Sequence, residues 1–413
     1  MEIRKIKSSI KQIDKIYHVS DIHIRTLKRH KEYKTVFKNL FEYINTNATE
    51  NSVAVVTGDI VHSKLDMSPE LIQMLIEFFK GFTIPTIVIL GNHDMNLNNL
   101  YRLDAISPIL DGFVDSNIIF IKDNEVFEYG GITWNHMAVD IAPNEYIRGT
   151  DINAPYKIAL HHGAVDTATT DIGYTISNKH VTTENFEGHD LVLLGDIHKP
   201  AQFLNDKKTI GYPGSLIQQN HGEALEHGIL VWDVKKKSSE FVKIENDYGY
   251  VTLITKGNKI IEHPKQMPKK PRIRIKFDNT DASDMKRLIA TIKKRYNVQD
   301  ISIQRSINNS INNVNANSVI GNIRDVEYQN TLLTDYVSTN FPQATEAEID
   351  AIRHINRNTN SKLPVLESVR HVTWKPLTFE FDNMFSYGQG NVVDFTCLES
   401  VCGLFAANTS GKS

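Results

Sequence analysis

Disulfide chemistry has almost no material to work with in this chain. Two cysteines, Cys397 and Cys402, occur in 413 residues; they are too few and too close for a disulfide framework, and small buried apolar roles near a strand suit them better. Net charge is scarce too, because 46 Lys and Arg stand against 49 Asp and Glu for a formal charge of −3. With no global basic surface, nucleic-acid binding has to come from local patches or from bound metal ions. Long hydrophobic runs are also missing. The basic N-terminus "MEIRKIKSSIKQIDKIYHVSDIH" lacks the apolar stretch of a secretory leader, and no segment approaches the ~20 apolar residues that span a bilayer. The expectation is an intracellular, cytoplasmic protein, at a nucleoid or viral replication site, with no membrane partner. The length leaves room for two or three domains.

What is present is a recurring unit. "KIYHVSDIH", "SVAVVTGDI", "PTIVILGNHD", "YKIALHHG" and "DLVLLGDIH" each run through four or more mainly apolar residues into a polar cluster, the pattern of buried strands that deliver side chains from their C-terminal ends. Between them, Tyr33, Val36, Phe37, Leu40, Phe41 and Ile44 form the stripe of an amphipathic helix. Ser68-Pro69 opens a second helix with an N-cap and a first-turn proline. Strand, helix, strand at this spacing predicts an α/β layered fold with its site at the strand ends.

The Pro/Lys-rich "HPKQMPKKPRIRIKF" reads as a joint, with a boundary near residue 262. A strand, a helix and a strand follow to about 305 as a small β-α-β unit. The Asn/Ser-rich stretch "SINNSINNVNANSVIGN" suits a linker over 306–325. Helical periodicity returns over 326–370, and 371–413 is β-rich. The basic residues between Lys265 and Arg295 are read first as a solvated charged face.

The polar clusters carry the chemistry. Hard divalent cations need carboxylate oxygens and neutral imidazoles converging from several strands. Asp21 and His23 follow the first strand, Asp59 the second, and Asn92, His93 and Asp94 the third; His161 and His162 end the fourth, and Asp196 and His198 follow the fifth. Strand alternation sends only one of His161 and His162 toward a given face. Each motif alone is weak; the ordered set, each at a strand end, points strongly to a metal site.

The set D-x-H, G-D, G-N-H-D, H-x-G and G-D-x-H resembles the calcineurin-like metallophosphoesterases. "YPGSLIQQ", the motif spacing and the β-α-β unit narrow the resemblance to the SbcD-type nucleases of double-strand-break repair, over roughly residues 15–305. It implies a four-layer β-sandwich flanked by helices (1–261) with a small capping domain that contacts DNA (262–305). It further implies a DNA exonuclease and endonuclease with two Mn²⁺ ions, Mg²⁺ serving in their place. One ion falls to Asp21, His23, Asp59 and His198, the other to Asp59, Asn92, His161 and Asp196, with Asp59 bridging; His161 is chosen because it occupies the family's position. His93 takes the part of the acid that protonates the leaving oxygen, Asp94 orients it, and His62 matches a second histidine associated with exonuclease action. The family usually has G-H-x-H in the last motif, and Asp196 replaces the first histidine with an oxygen ligand.

The tail "LTFEFDNMFSYGQGNVVDFTCLESVCGLFAANTSGKS" resembles the beginning of the SbcC-type, SMC-like ATPase that partners such nucleases. Its last residues nearly spell a phosphate-binding loop, in which Asn408, Gly411, Lys412 and Ser413 would face nucleotide phosphate. Ala406 and Thr409 stand where that family has glycine. The expectation is a nuclease fused to its ATPase, with 326–370 docking the ATPase, 371–413 forming the first strands of its lobe, and ATP bound only by a longer chain. Implied partners are DNA ends and single-stranded regions, an SbcC-type ATPase in cis or in trans, and a second copy of the chain. Two rival readings are another phosphodiesterase or phosphatase of the same fold, and a non-catalytic subunit that tethers DNA ends.

Overall fold

The computed structural model describes residues 3–113, 117–256, 259–278, 280, 282–305, 326–341, 343–362, 377–382 and 388–397. It divides into two units, Met1–Ile307 and Asn308–Ser413.

Among the described residues the first unit holds three sheets, and two of them pack face to face. One has six strands in the order Ser238–Lys243, Gly228–Asp233, Lys15–Val19, Ser52–Thr57, Thr86–Ile89, Ile118–Phe120. The other has seven, with Ile132–Met137, Lys157–His162 and Leu191–Gly195 adjacent and parallel at its centre. The period-two side-chain alternation of strands makes them a sandwich. Ile16, Val53, Val55 and Ile87 from the first sheet share one core with Trp134, Ile158, Leu160 and Leu193 from the second. The opposite face of the six-stranded sheet, through Tyr17, Val19, Ala54 and Val56, packs under the helices His30–Asn47 and Pro69–Lys80. The predicted stripe supplies that contact, and Ser68 caps the second helix by accepting from the Leu71 amide.

The mixed α/β sandwich agrees with the expected fold class. Its flanks differ: the outer face of the seven-stranded sheet, through Ala159, Val192 and Leu194, is covered by Val165, Ala168, Val181 and Phe186 from irregular segments and a 3-10 turn rather than by an α-helix.

A separate four-stranded sheet runs in the order Lys259–Glu262, Tyr248–Lys256, Lys270–Asp278, Asp300–Arg305, with the helix Ala282–Arg295 packed on it through Met285, Leu288 and Ile292. The Pro/Lys-rich segment read as a boundary leads into the third of these, and Tyr248–Lys256 pairs with Lys270–Asp278 from end to end.

In the second unit, the helices Val326–Asn340 and Glu346–Ser361 are bonded through Arg357 to Glu327 at 3.1 Å and Asn356 to Asn330 at 3.0 Å. The strands Thr378–Phe381 and Asn391–Asp394 form an antiparallel pair. The stretch 306–325 and the residues Asn408, Gly411, Lys412 and Ser413 lie outside the described residues. No helix among the described residues is long and apolar enough to cross a membrane.

Candidate metal centre

The central strands of both sheets end at one place, and their last residues turn sharply. Asp21, His23, Asp59 and Asp196 all take positive φ, at 51°, 50°, 52° and 101°. That region is costly for side chains with a Cβ and concentrates where function demands it. Gly58 and Gly91 let the loops approach: a Cβ on Gly91 would lie 2.2 Å from Asp59 Oδ1, and one on Gly58 2.5 Å from the Gly91 nitrogen.

Two groups of ligand atoms result. In the first, Asp21, His23 and His198 converge, with His23 Nε2 3.0 Å from His198 Nε2 and both about 3.8 Å from Asp21 Oδ1. In the second, Asp21, Asp59 and His162 converge, with His162 Nε2 3.0 Å from Asn92 Oδ1, 3.3 Å from Asp59 Oδ1 and 3.9 Å from Asp196 Oδ1. Asp59 faces both groups, since its other oxygen lies 3.5 Å from His23 Nε2.

The fourth-strand histidine is a correction. The family position selects His161, but His161 turns to the opposite face, where its Nδ1–H donates to the Met137 carbonyl at 2.9 Å and its ring packs on Tyr146 and Phe186. His162 occupies the cluster instead. The pleat explains this: Ile158 and Leu160 point into the core between the sheets and Ala159 points out, so His162 continues the inward face on which the other convergent donor groups lie.

Asp94 also has a different place. Its Oδ1 accepts from the Ile60 and Val61 amides at 2.9 and 3.0 Å and its Oδ2 from the Gly91 amide at 2.9 Å. It therefore ties two site loops together and does not hold the His93 ring. That ring is fixed by the His62 backbone, whose carbonyl accepts from Nδ1–H at 2.7 Å. The His93 ring lies 4.9 Å from that of His23 and stacks on that of His62 at 5.8 Å, and His23, His62 and His93 form a third convergent group.

Sequence reasoning also missed Glu223. Its Oε1 lies 2.9 Å from His198 Nδ1, in the segment that follows "YPGSLIQQ". A carboxylate behind a metal-ligating histidine is a recurrent arrangement, but nothing in the spacing announces which carboxylate serves.

The donor set fits hard divalent cations. Asp21 Oδ1 is buried with no hydrogen-bond partner, and burial pushes the Asp21 carboxyl up to about 6. Burial lowers His198, but the Glu223 hydrogen bond and the Asp21 and Glu223 charges outweigh it and raise it to about 9. At His162 burial is likewise outweighed by Asp59, so its affinity for a proton lies well above the ordinary value; Nδ1–H donates to the Thr57 carbonyl at 2.7 Å, which leaves Nε2 facing Asn92 Oδ1 and the carboxylates. His161, away from the carboxylates, is lowered to about 4 by burial. The cluster thus calls for positive charge where the carboxylates crowd, and oxygen and imidazole donors suit Mn²⁺ or Mg²⁺.

Comparison with known proteins agrees with this chemistry. Residues 14–200 match the calcineurin-like phosphoesterase family. An uncharacterized protein of Acanthamoeba polyphaga mimivirus is 37% identical over 97% of this chain, and the chain spans 31% of that protein's length. A Xenorhabdus bovienii protein named as a probable cyclic nucleotide phosphodiesterase is 25% identical over 45% of this chain and 77% of its own. A protein of Invertebrate iridescent virus 6 that carries a phosphoesterase name is 22% identical over 52% of this chain and 75% of its own. The metal-binding cluster at the ends of the sandwiched strands thus lies within a stretch, residues 14–200, that is similar to the calcineurin-like phosphoesterases.

Proposed function

We propose that the domain hydrolyses DNA phosphodiesters, as an exonuclease and endonuclease acting on DNA ends in break repair or recombination. The observation that carries the hydrolytic part is the pair of donor groups sharing Asp59, with His93 beside them. Asp21, His23, Asp59 and His198 would hold one divalent ion and Asp59, Asn92, His162 and Asp196 the other. When bound, the ions supply Lewis-acid polarisation of the phosphoryl group and a strong nucleophile from water at neutral pH. The chain's own residues do the rest. Asp59 keeps the two groups at a fixed separation. With Nδ1–H committed to the His62 carbonyl, Nε2 is the ring nitrogen left to His93, and only the doubly protonated ring would donate Nε2–H to a departing 3′ oxygen. His62, stacked on His93, limits the ring to that orientation.

The DNA substrate is supported by the motif order and its resemblance to SbcD-type nucleases. The same reading takes an SbcC-type ATPase as partner and the C-terminal residues as the start of its lobe; the 31% coverage of the mimivirus protein supports a longer polypeptide. The second reading, a small-molecule phosphodiesterase, is favoured by the name of the Xenorhabdus relative. Assays in Mn²⁺ on end-labelled duplex DNA, a cyclic nucleotide and bis(p-nitrophenyl) phosphate separate the two. Degraded DNA supports the nuclease. Cyclic nucleotide turnover with intact DNA supports the alternative.

A further inference from the structure

The segment leaving His23 forms one wall of a 780 Å³ cleft through Arg25, Lys28 and Arg29, and the four-stranded sheet forms the other through Tyr248, Tyr250 and Arg272. Three guanidinium nitrogens of these walls, Arg25 Nε, Arg29 Nη1 and Arg272 Nη1, are buried without a hydrogen-bond partner. The Arg29 and Arg272 side chains are only 4% and 11% exposed, and a guanidinium cannot shed its proton to escape the cost. Arg272 is therefore no member of a solvated basic face.

The cleft's charge is not balanced from within. Glu32 accepts from Arg29 at 2.8 and 2.9 Å and pairs with Arg272 at 2.7 Å, so one carboxylate serves two cations. Asp300 is the other carboxylate lining it, while Lys31 adds a further cation to Arg25 and Lys28. The guanidinium planes are also held in advance of any ligand: Arg29 and Arg272 lie 5.3 and 5.1 Å from the Tyr250 ring centroid, and Arg29 Nη2–H donates to the Gln218 carbonyl at 2.7 Å. Fixed forks with unused donors match the oxygens of a phosphate group.

We propose that this cleft is a second phosphate subsite, which holds a phosphodiester of the substrate strand beyond the one being cut. The ligand chemistry is phosphate; its assignment to a strand backbone rests on the nucleic-acid reading above. The test is fluorescence anisotropy of the full chain in Mn²⁺ with a short labelled phosphorothioate oligodeoxynucleotide, which keeps the backbone charge and resists cutting. Calorimetry with inorganic pyrophosphate runs in parallel. Arg25→Gln should weaken oligonucleotide binding about tenfold and Lys28→Gln about threefold, each lowering the salt dependence by about one counterion. Lys28 is a surface residue, so its variant folds even if Arg25→Gln does not; melting curves check both. Wild-type affinity and salt slope in both variants would overturn the subsite, as would a wild type that binds neither probe. Arg25-dependent pyrophosphate binding without oligonucleotide binding would keep the subsite and remove the nucleic-acid reading.

Discussion

Glu223 holds the imidazole of His198 from behind, with Oε1 2.9 Å from Nδ1. The carboxylate is itself fixed by the Asn220 side-chain amide at 2.7 Å and the Gln219 backbone N–H at 2.5 Å, and is 7% exposed. The ring's Nε2 is thereby turned toward His23 and Asp21. Glu223→Ala should lower metal affinity by about 10- to 100-fold, with Glu223→Gln between it and the wild type. Calorimetric titration of Mn²⁺ reads this directly, and unchanged affinity in Glu223→Ala would remove Glu223 from the account.

The neighbouring histidines should separate cleanly. His162→Ala should abolish metal-dependent hydrolysis at every temperature at which the chain stays folded. His161→Ala should cost roughly 1–3 kcal/mol, because the Met137 carbonyl loses its donor and Tyr146 and Phe186 lose a packing partner. Activity at low temperature should persist in that variant. The reverse pattern would restore His161 as the ligand.

Asp94→Ala should act through the fold of the site loops. Three backbone N–H groups, of Ile60, Val61 and Gly91, lose their acceptor at once, at a cost of about 3 kcal/mol in urea unfolding. A variant as stable as the wild type but inactive would show instead that Asp94 serves chemistry.

Glu32 gives the chain a pH-dependent element away from the metal ligands. Burial raises its pKa, but the Arg29 hydrogen bond and charge, with Arg272, bring it below the ordinary glutamate value. A depressed carboxyl contributes stability above its unfolded pKa of about 4.3 and loses it as pH falls through the lower folded value. Melting temperatures of wild type and Glu32→Gln should therefore differ widely at neutral pH, where breaking a buried pair costs about 3–5 kcal/mol, and converge below pH 4. A gap that stays constant on acidification would contradict the assignment.

The sandwich was legible because its strands carry unbroken apolar runs and its helices carry clear stripes: Val36, Leu40 and Ile44 all fall on the buried face expected of them. Asp21, His23, Asp59, Asn92 and His198 were legible because each sits in a short motif just past a strand. His162 was not, since adjacent histidines differ only in the face the pleat gives them. The signal was present in "KIALHH", where Ile158 and Leu160 mark the core side and Ala159 the other. Glu223 and the Arg29–Glu32–Arg272 group depend on contacts between segments up to 240 residues apart, beyond the reach of local pattern. The pairing of Tyr248–Lys256 with Lys270–Asp278 is likewise a long-range choice.

Duplex DNA digestion in Mn²⁺, measured beside elemental analysis for the wild type and His93→Asn, tests the central claim most directly. The account predicts that the wild type holds both ions and digests DNA, while His93→Asn keeps its metal and loses at least about 100-fold in rate. Intact DNA after incubation with fully loaded wild type would contradict it, as would a His93→Asn variant that cuts at the wild-type rate or loses its metal along with its activity.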